Sequence, residues 1–295
     1  MPCYKPRSAY IGPSGPLRFA PGPGLNQIDI ACRWCIGCRL DRSRDWATRI
    51  HHEASLHAFN AFVTLTYNAE HYPPHGQLLH EHFVLFMKKL RHHIGPTRYF
   101  MCGEYGEKFA RPHFHAALFG LHFDDRKLFS ENNGQPLYTS KLLDSLWDRG
   151  FATIGDLSIE SARYITGYVV KKIIGKKADQ HYTATSPHTG EQIRKNPEYA
   201  QMSRRPGIGA AWFDRYATDV FPHDRCIIQG REVPPPAYYY RKLKERDSIG
   251  AALIKNSRQL RSTVNLADRS DSRLKVRELV ARKQHALKTR LLEKS

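Results

Sequence analysis

Between residues 59 and 177, apolar and polar positions change period several times, and each change marks an element. Phe62 to Tyr67 (Phe-Val-Thr-Leu-Thr-Tyr) is a row of β-formers and predicts a strand. Leu79, Phe83, Phe86, Met87 and Leu90 recur at helical spacing, with Lys88, Lys89 and Arg91 outside the stripe. Gly95-Pro96 ends that helix. Tyr99 to Glu104 and Arg111 to Gly120 predict two more strands, and the segment between them, with Gly106, can turn the chain back. Leu142, Leu143, Leu146 and Trp147 mark a short helix closed by Gly150. Phe151 to Leu157 predicts a fourth strand, and a helix through 162–172 follows it.

The order strand, helix, strand, strand, helix, strand is the ferredoxin-like split pattern. The expected class is α+β: an RRM-like antiparallel sheet with helices mainly on one face, leaving the other free for a ligand. The flanks are less regular. Asp41 to Phe59 reads as a helix with Trp46, Ile50 and Leu56 as apolar positions and Asp41 or Ser43 as cap. Glu53, among His51, His52 and His57, reads as part of a solvated helix face in preference to a metal cluster. Ala178 to Pro197 is polar and reads as a long surface loop. Ser203 to Gly209 is a turn shaped by Pro and Gly that suits either phosphate contact or structure alone. Pro234-Pro235-Pro236 is a stiff break. From Arg258 onward the pattern is basic and helical, with Val276, Val280, Leu287 and Leu291 on one face. Four segments result: an arm over 1–58, a core over 59–177, a loop-rich extension over 178–236 and a basic helical region over 237–295.

Charge narrows the partner. Lys and Arg number 46 against 28 Asp and Glu, a formal net charge of +18. Such an excess speaks to partners and not to fold. A nucleic-acid backbone is the first choice, because counterion release drives its binding to basic proteins. An anionic membrane surface is the alternative. No apolar run approaches the roughly 20 residues of a spanning helix, and the N-terminus carries no signal pattern, so the expectation is a soluble cytosolic protein without a membrane partner.

Two sets of metal-ligating residues stand out. Cys32, Cys35 and Cys38 are spaced three apart, which in a cytosolic chain speaks for metal before disulfide. Cys3 could return as a fourth thiolate through the Gly- and Pro-rich segment from Gly12 to Gly24, making a closed structural Zn²⁺ site. Reduced free thiols or a redox pair are the alternatives. Cys102 and Cys226 read as ordinary buried small residues. The second set lies in the core. On a strand, His113 and His115 project from one side and Phe114 from the other. If the preceding strand pairs antiparallel, Glu104 falls near His113 and completes a two-His, one-carboxylate set. A structural or partner-bonded histidine pair is the alternative. About fifty residues on, Tyr164 and Tyr168 stand i and i+4 on a helix, flanked by Lys171 and Lys172. Ala162, Ile165, Thr166, Val169 and Ile173 fall on the opposite, packing side. Aromatics that merely cover the edge of a core would look the same.

A His-hydrophobe-His strand followed by Tyr-x-x-x-Tyr-x-x-Lys-Lys resembles the HUH endonuclease superfamily. More narrowly it resembles the rolling-circle replication initiators of microvirus-type, gokushovirus-like single-stranded DNA bacteriophages. Matching stretches are Cys35 to Arg44, Phe62 to Tyr67 and Met202 to Gly209, so the resemblance covers roughly residues 1–215. It implies Mg²⁺ or Mn²⁺ on His113, His115 and Glu104. It implies Tyr164 and Tyr168 as nucleophiles that form phosphotyrosine links, with Lys171 and Lys172 beside them. The implied activity is a site-specific nickase and ligase on single-stranded or origin DNA in the bacterial host cytoplasm. Arg111, Arg163, Arg204 and Arg205 are the candidates for DNA contact. No Gly-x-x-x-x-Gly-Lys-Ser/Thr phosphate loop occurs, so no nucleotide cofactor is expected, and a host helicase and polymerase would unwind and copy the duplex. A plasmid initiator or relaxase would share this chemistry. A non-catalytic, zinc-containing nucleic-acid-binding protein is the reading from a different class.

Overall fold

The computed structural model describes residues 3–12, 15–106, 109–132, 134–175, 177–185, 190–264 and 266–287. They form two compact units, residues 3–42 with 252–287 and residues 43–251. The chain runs through β1 (Arg7–Ile11), β2 (Asn26–Ile30), α1 (Ile36–Ala54), β3 (Asn60–Thr66), α2 (His80–Ile94), β4 (Arg98–Tyr105) and β5 (Pro112–Phe119). It continues through β6 (Lys127–Asn132), β7 (Gln135–Thr139), α3 (Lys141–Leu146), β8 (Ala152–Asp156), α4 (Ile159–Ile165) and α5 (Tyr168–Lys171). Then come α6 (Lys177–Tyr182), β9 (Thr183–Thr185), β10 (Gln192–Arg194), β11 (Tyr199–Met202) and α7 (Ala210–Val220). The last elements are β12 (Cys226–Ile228), β13 (Arg231–Val233), α8 (Ala237–Arg246), α9 (Ser248–Thr263) and α10 (Asp271–Ala286).

The larger unit is built on a seven-stranded sheet in the order β11-β4-β5-β3-β8-β7-β6, antiparallel throughout. Its middle four strands, β4-β5-β3-β8, have the spatial order of the split pattern, so the α+β class holds. Alternation along the strands sorts side chains into two cores. Ala61, Val63, Leu65, Met101, Phe114, Ala116 and Leu118 pack with Phe83, Phe86 and Leu90 of α2 and with Leu143, Leu146 and Trp147 around α3. Phe62, Phe100, Cys102, Ala117 and Phe119 point the other way, onto Ala47, Ile50 and Ala54 of α1 and onto Ile159, Ala162 and Ile165 of α4. The second face is therefore not left bare for a ligand. Apolar residues at one end of it invite α1 and α4, and the polar end keeps Glu104, His113 and His115.

Several elements depart from expectation. α1 starts at Ile36, five residues before Asp41, because the turn through Cys35 already sets its first turn. The β6–β7 hairpin and the edge strand β11 extend the sheet beyond the four expected strands. Ala178 to Pro197 is not structureless: it contains most of α6 and the β9–β10 ladder, three-residue strands too short to show a period. In the smaller unit the expected apolar face of the last helix is exposed at Val276, Val280 and Leu287, whereas Leu274 is buried and Glu278 pairs with Lys5 and Arg282. Leu291 lies outside the described residues. Among the described residues no helix is long and apolar enough to cross a membrane.

Candidate metal and tyrosine site

Strand register creates the site. β4 and β5 pair Glu104 with His113 and Cys102 with His115, and β3 sets Thr66 against His113 and Thr64 against His115. All of these side chains share the face of Phe62 and Phe100, away from α2. Glu104 Oε1 lies 3.4 Å from the Nε2 of both His113 and His115. The opposite ring nitrogens are tethered. His113 Nδ1 donates to the Arg111 carbonyl at 3.1 Å, and His115 Nδ1 meets the Thr64 hydroxyl at 2.9 Å. Tethering one nitrogen fixes which nitrogen faces the site and how the ring is turned. With Nδ1 on the Arg111 carbonyl, Nε2 of His113 is the nitrogen turned toward the Glu104 carboxylate.

Glu104 is 1% exposed, and its second oxygen, Oε2, has no hydrogen-bond partner among the described residues. Burial alone would raise its pKa, but hydrogen bonding and charge from His113 and His115 hold the carboxyl well below the usual range. Lys171 Nζ stands 3.4 Å from the same Oε1. One ligand atom from each of Glu104, His113 and His115 lies within 4.8 Å of the others. Converging lone pairs, an unspent buried oxygen and an N₂O donor set fit a divalent cation.

The tyrosines approach from α4 and α5. Ser158 caps α4, accepting from the amides of Glu160 and Ser161, while the Ser161 hydroxyl accepts from the Ser158 amide. The expected single helix is interrupted after Ile165. Thr166 turns its hydroxyl back onto the carbonyls of Ala162 and Arg163 and meets Ser43, and Gly167 follows. Back-bonding by Thr and the freedom of Gly both weaken a helix at that point. Tyr164 lies in the last turn of one piece and Tyr168 begins the next. Their face is not open either, since both rings are half-buried against the α1–α4 core, while Ala162, Ile165, Thr166 and Val169 are buried as expected. The Tyr164 hydroxyl is 3.4 Å from His115 Nε2, and the two rings meet edge to face at 4.9 Å. Lys172, directly after α5, is half-buried.

Arg111 donates to the Tyr67 carbonyl and lies over the Tyr72 ring. Arg163, Arg204 and Arg205 are exposed, and Arg204 bonds Gln201. The Ser203–Gly209 turn is anchored from within: Glu53 accepts from the Gly209 amide at 2.7 Å, Arg98 donates to the Pro206 carbonyl and Arg49 to the Ile208 carbonyl. Glu53 is thus no solvated residue. It is buried, paired with Arg98 at 2.5 Å, and neighbouring His52 stacks on Trp212 at 3.5 Å. Thr64, which orients His115, escapes sequence reading because only the β3–β5 register reveals it.

In the smaller unit the sulfurs of Cys3, Cys32, Cys35 and Cys38 lie within 4.8 Å of one another, none in a disulfide. The amide of Tyr4 donates to Cys35 Sγ, that of Cys32 to Cys3 Sγ and that of Cys35 to Cys32 Sγ. Burial opposes ionisation of Cys35, yet backbone donors from Cys38 and Tyr4 bring its pKa down to about 7. Burial pushes the thiols of Cys32 and Cys38 up. Four sulfurs fed by backbone amides fit a tetrahedral metal site. Cys102 and Cys226 are buried, as expected.

The profile of the replication-associated protein ORF2/G2P family matches residues 60–173. Replication-associated protein ORF2 of Spiroplasma virus 4 is 34% identical over 248 residues, covering 78% of this chain and 73% of its own. The chain belongs to this family of phage replication-associated proteins. Replication-associated protein VP4 of Bdellovibrio phage phiMH2K is 29% identical over 253 residues, 81% of this chain and 76% of its own. Replication-associated protein ORF4 of Chlamydia phage 1 is 28% identical over 238 residues, 74% of this chain and 55% of its own. The expected kinship with microvirus-type phages holds. No solved structure matches the chain. The family span includes Glu104, both histidines, both tyrosines and both lysines.

Proposed function

We propose that this protein is a metal-dependent nickase and ligase for single-stranded DNA that initiates rolling-circle replication of a phage genome. One observation carries the reading: Glu104, His113 and His115 converge within 4.8 Å, while Tyr164 and Lys171 each reach a member of that set at 3.4 Å. Glu104, His113 and His115 would hold Mg²⁺ or Mn²⁺. A cation bound there polarises and orients a phosphodiester. A free phenol, with a pKa near 10, is a weak nucleophile at neutral pH. The Lys171 ammonium beside the tyrosines favours the phenolate and balances charge developing on the phosphate, and Lys172 adds to the same field. The tyrosine oxygen forms a bond to phosphorus as the P–O3′ bond breaks. The phenol gives up one proton and the leaving 3′ oxygen gains one. Because the phosphotyrosine keeps the phosphodiester's energy, a 3′ hydroxyl can reverse the step without ATP.

Two tyrosines allow one to hold a 5′ end while the other cleaves the regenerated site. Arg111, Arg163, Arg204 and Arg205 offer phosphate contacts. Replication on this route engages origin DNA, a host helicase and a host polymerase, in the host cytoplasm. Cys3, Cys32, Cys35 and Cys38 would hold Zn²⁺ as a structural staple for the arm. The experiment is cleavage of a labelled origin oligonucleotide with Mg²⁺ or Mn²⁺ and with EDTA. Metal-dependent nicking that leaves a 3′ hydroxyl and a protein-linked 5′ end is expected. Tight DNA binding without any cleavage would favour a non-catalytic nucleic-acid-binding protein.

A further inference from the structure

An open cleft of about 560 Å³ is lined by Ala69, Tyr72, Phe109 and Arg111. The family relation gives it no role, and none of its aromatics figures in the proposed chemistry. Phe109 is 81% exposed, on the loop that joins β4 to β5. Its ring stands in solvent, within reach of a partner. Tyr72 faces the same space from the loop after β3, 38% exposed. The Arg111 guanidinium lies 5.3 Å from the centre of the Tyr72 ring and donates to the Tyr67 carbonyl, so ring and cation are held together. A side chain at Gly76 would strike the Tyr72 hydroxyl at 2.6 Å, so the bare glycine leaves room for that ring.

The cleft is tied to the site through the backbone. Arg111 presents its side chain to the cleft and its carbonyl to His113 Nδ1. The same carbonyl accepts from Gly106, closing the loop that carries Phe109. Arg111 stands two positions before His113, with Pro112 between them, a path of about 6–7 Å, which one nucleotide spans.

We infer that Tyr72 and Phe109 form a stacking subsite for one unpaired base next to the scissile phosphate, with Arg111 contacting the adjoining backbone. Aromatic faces beside a cation are the usual platform for single-stranded DNA, and every base offers a face to stack. A paired base is already stacked on its neighbours, so the subsite discriminates for single-stranded substrate. This inference rests on the proposed nickase reading for the location of the cleaved phosphate, whereas its test is on binding.

The test measures anisotropy of a fluorescent origin oligonucleotide in EDTA, where no cleavage intervenes, with the full-length protein. Phe109→Ala and Tyr72→Ala should each weaken binding at least about fivefold, and Phe109→Trp should restore it. An abasic residue walked along the oligonucleotide should cost wild-type affinity at one position beside the nick. At that position the Phe109→Ala, Tyr72→Ala double variant should show no further loss. Affinity for duplex should be unchanged in all variants. Wild-type affinity in both alanine variants, with an unaltered abasic profile, would overturn the subsite, whether or not the protein nicks. A wild type that never nicks but loses affinity at one abasic position only while both rings are present would keep the subsite and refute the nickase reading.

Discussion

At the scale of single residues, the site is a problem in lone pairs. His113 and His115 each tether Nδ1, so Nε2 of both faces Glu104. His113→Ala, His115→Ala and Glu104→Gln should each reduce nicking at least about a hundredfold while single-strand affinity stays near wild type. A nicking time course and a binding isotherm on the same preparations check this, and wild-type cleavage by either histidine variant would refute the ligand assignment. Thr64 acts through His115. Thr64→Val should weaken Mn²⁺ binding by about 10- to 100-fold, read by calorimetric titration, with Thr64→Ser close to wild type. His52 offers a pH readout away from this chemistry. Burial pushes its pKa down to about 3 from an ordinary 6.5, so the unfolded chain binds the extra proton. Stability should therefore fall as pH drops from 6.5 toward 3, by up to about 1.4 kcal/mol per pH unit from this group. Urea titrations at several pH values should show a shallower slope for His52→Gln. The His-x-His pair and Glu104 were legible because strand alternation follows from sequence. Thr64, the buried role of Glu53 and the platform at Tyr72 were not, because each depends on which distant segment lies opposite.

At the scale of elements, the tyrosine helix teaches most. Its apolar stripe identified the packing side correctly at Ala162, Ile165, Thr166 and Val169. Helical spacing of the tyrosines did not reveal the break, because the Thr166 back-bond and its contact with Ser43 are tertiary and local at once. The break puts Tyr164 and Tyr168 on separate pieces. Tyr164→Phe should cost only about 0.5–1.5 kcal/mol of stability, the range for losing one hydrogen bond. Each single phenylalanine variant should still nick a short oligonucleotide but fail to recircularise a replicated strand. Gel separation of nicked, linked and circular products reads both steps. The Cys turn ahead of α1 has its own test. Purified protein should hold roughly one zinc, and Cys35→Ser should lower both zinc content and thermal stability. Fully folded, reduced protein without zinc would contradict the staple. Short strands such as β9 and β10, and the edge strand β11, were illegible because three or four residues carry no measurable period.

At the scale of the whole molecule, a net charge of +18 sets affinity more than specificity. The logarithm of the binding constant for single strands should fall linearly with the logarithm of salt, with a slope of about −0.7 per phosphate contacted. Arg204→Ala should make that slope shallower by about one contact and leave base preference unchanged. A helix-strand order readable from hydrophobic spacing was enough for the α+β class, since the split pattern has few ways to close. The two apolar faces of the sheet were legible only as alternation, and which helices cover them depended on contacts remote in sequence. On the proposed route a tyrosine on α4 or α5 becomes covalently bound to DNA at the Glu104–His113–His115 site. The most direct measurement is mass spectrometry of the trapped, nuclease-digested adduct formed on an origin oligonucleotide with Mn²⁺. Phosphate-linked nucleotide is expected on Tyr164 and on Tyr168 across the population, none with EDTA, and none in the Tyr164→Phe, Tyr168→Phe double variant. Adduct persisting in that double variant, or no adduct on wild type that binds the oligonucleotide tightly, would contradict it.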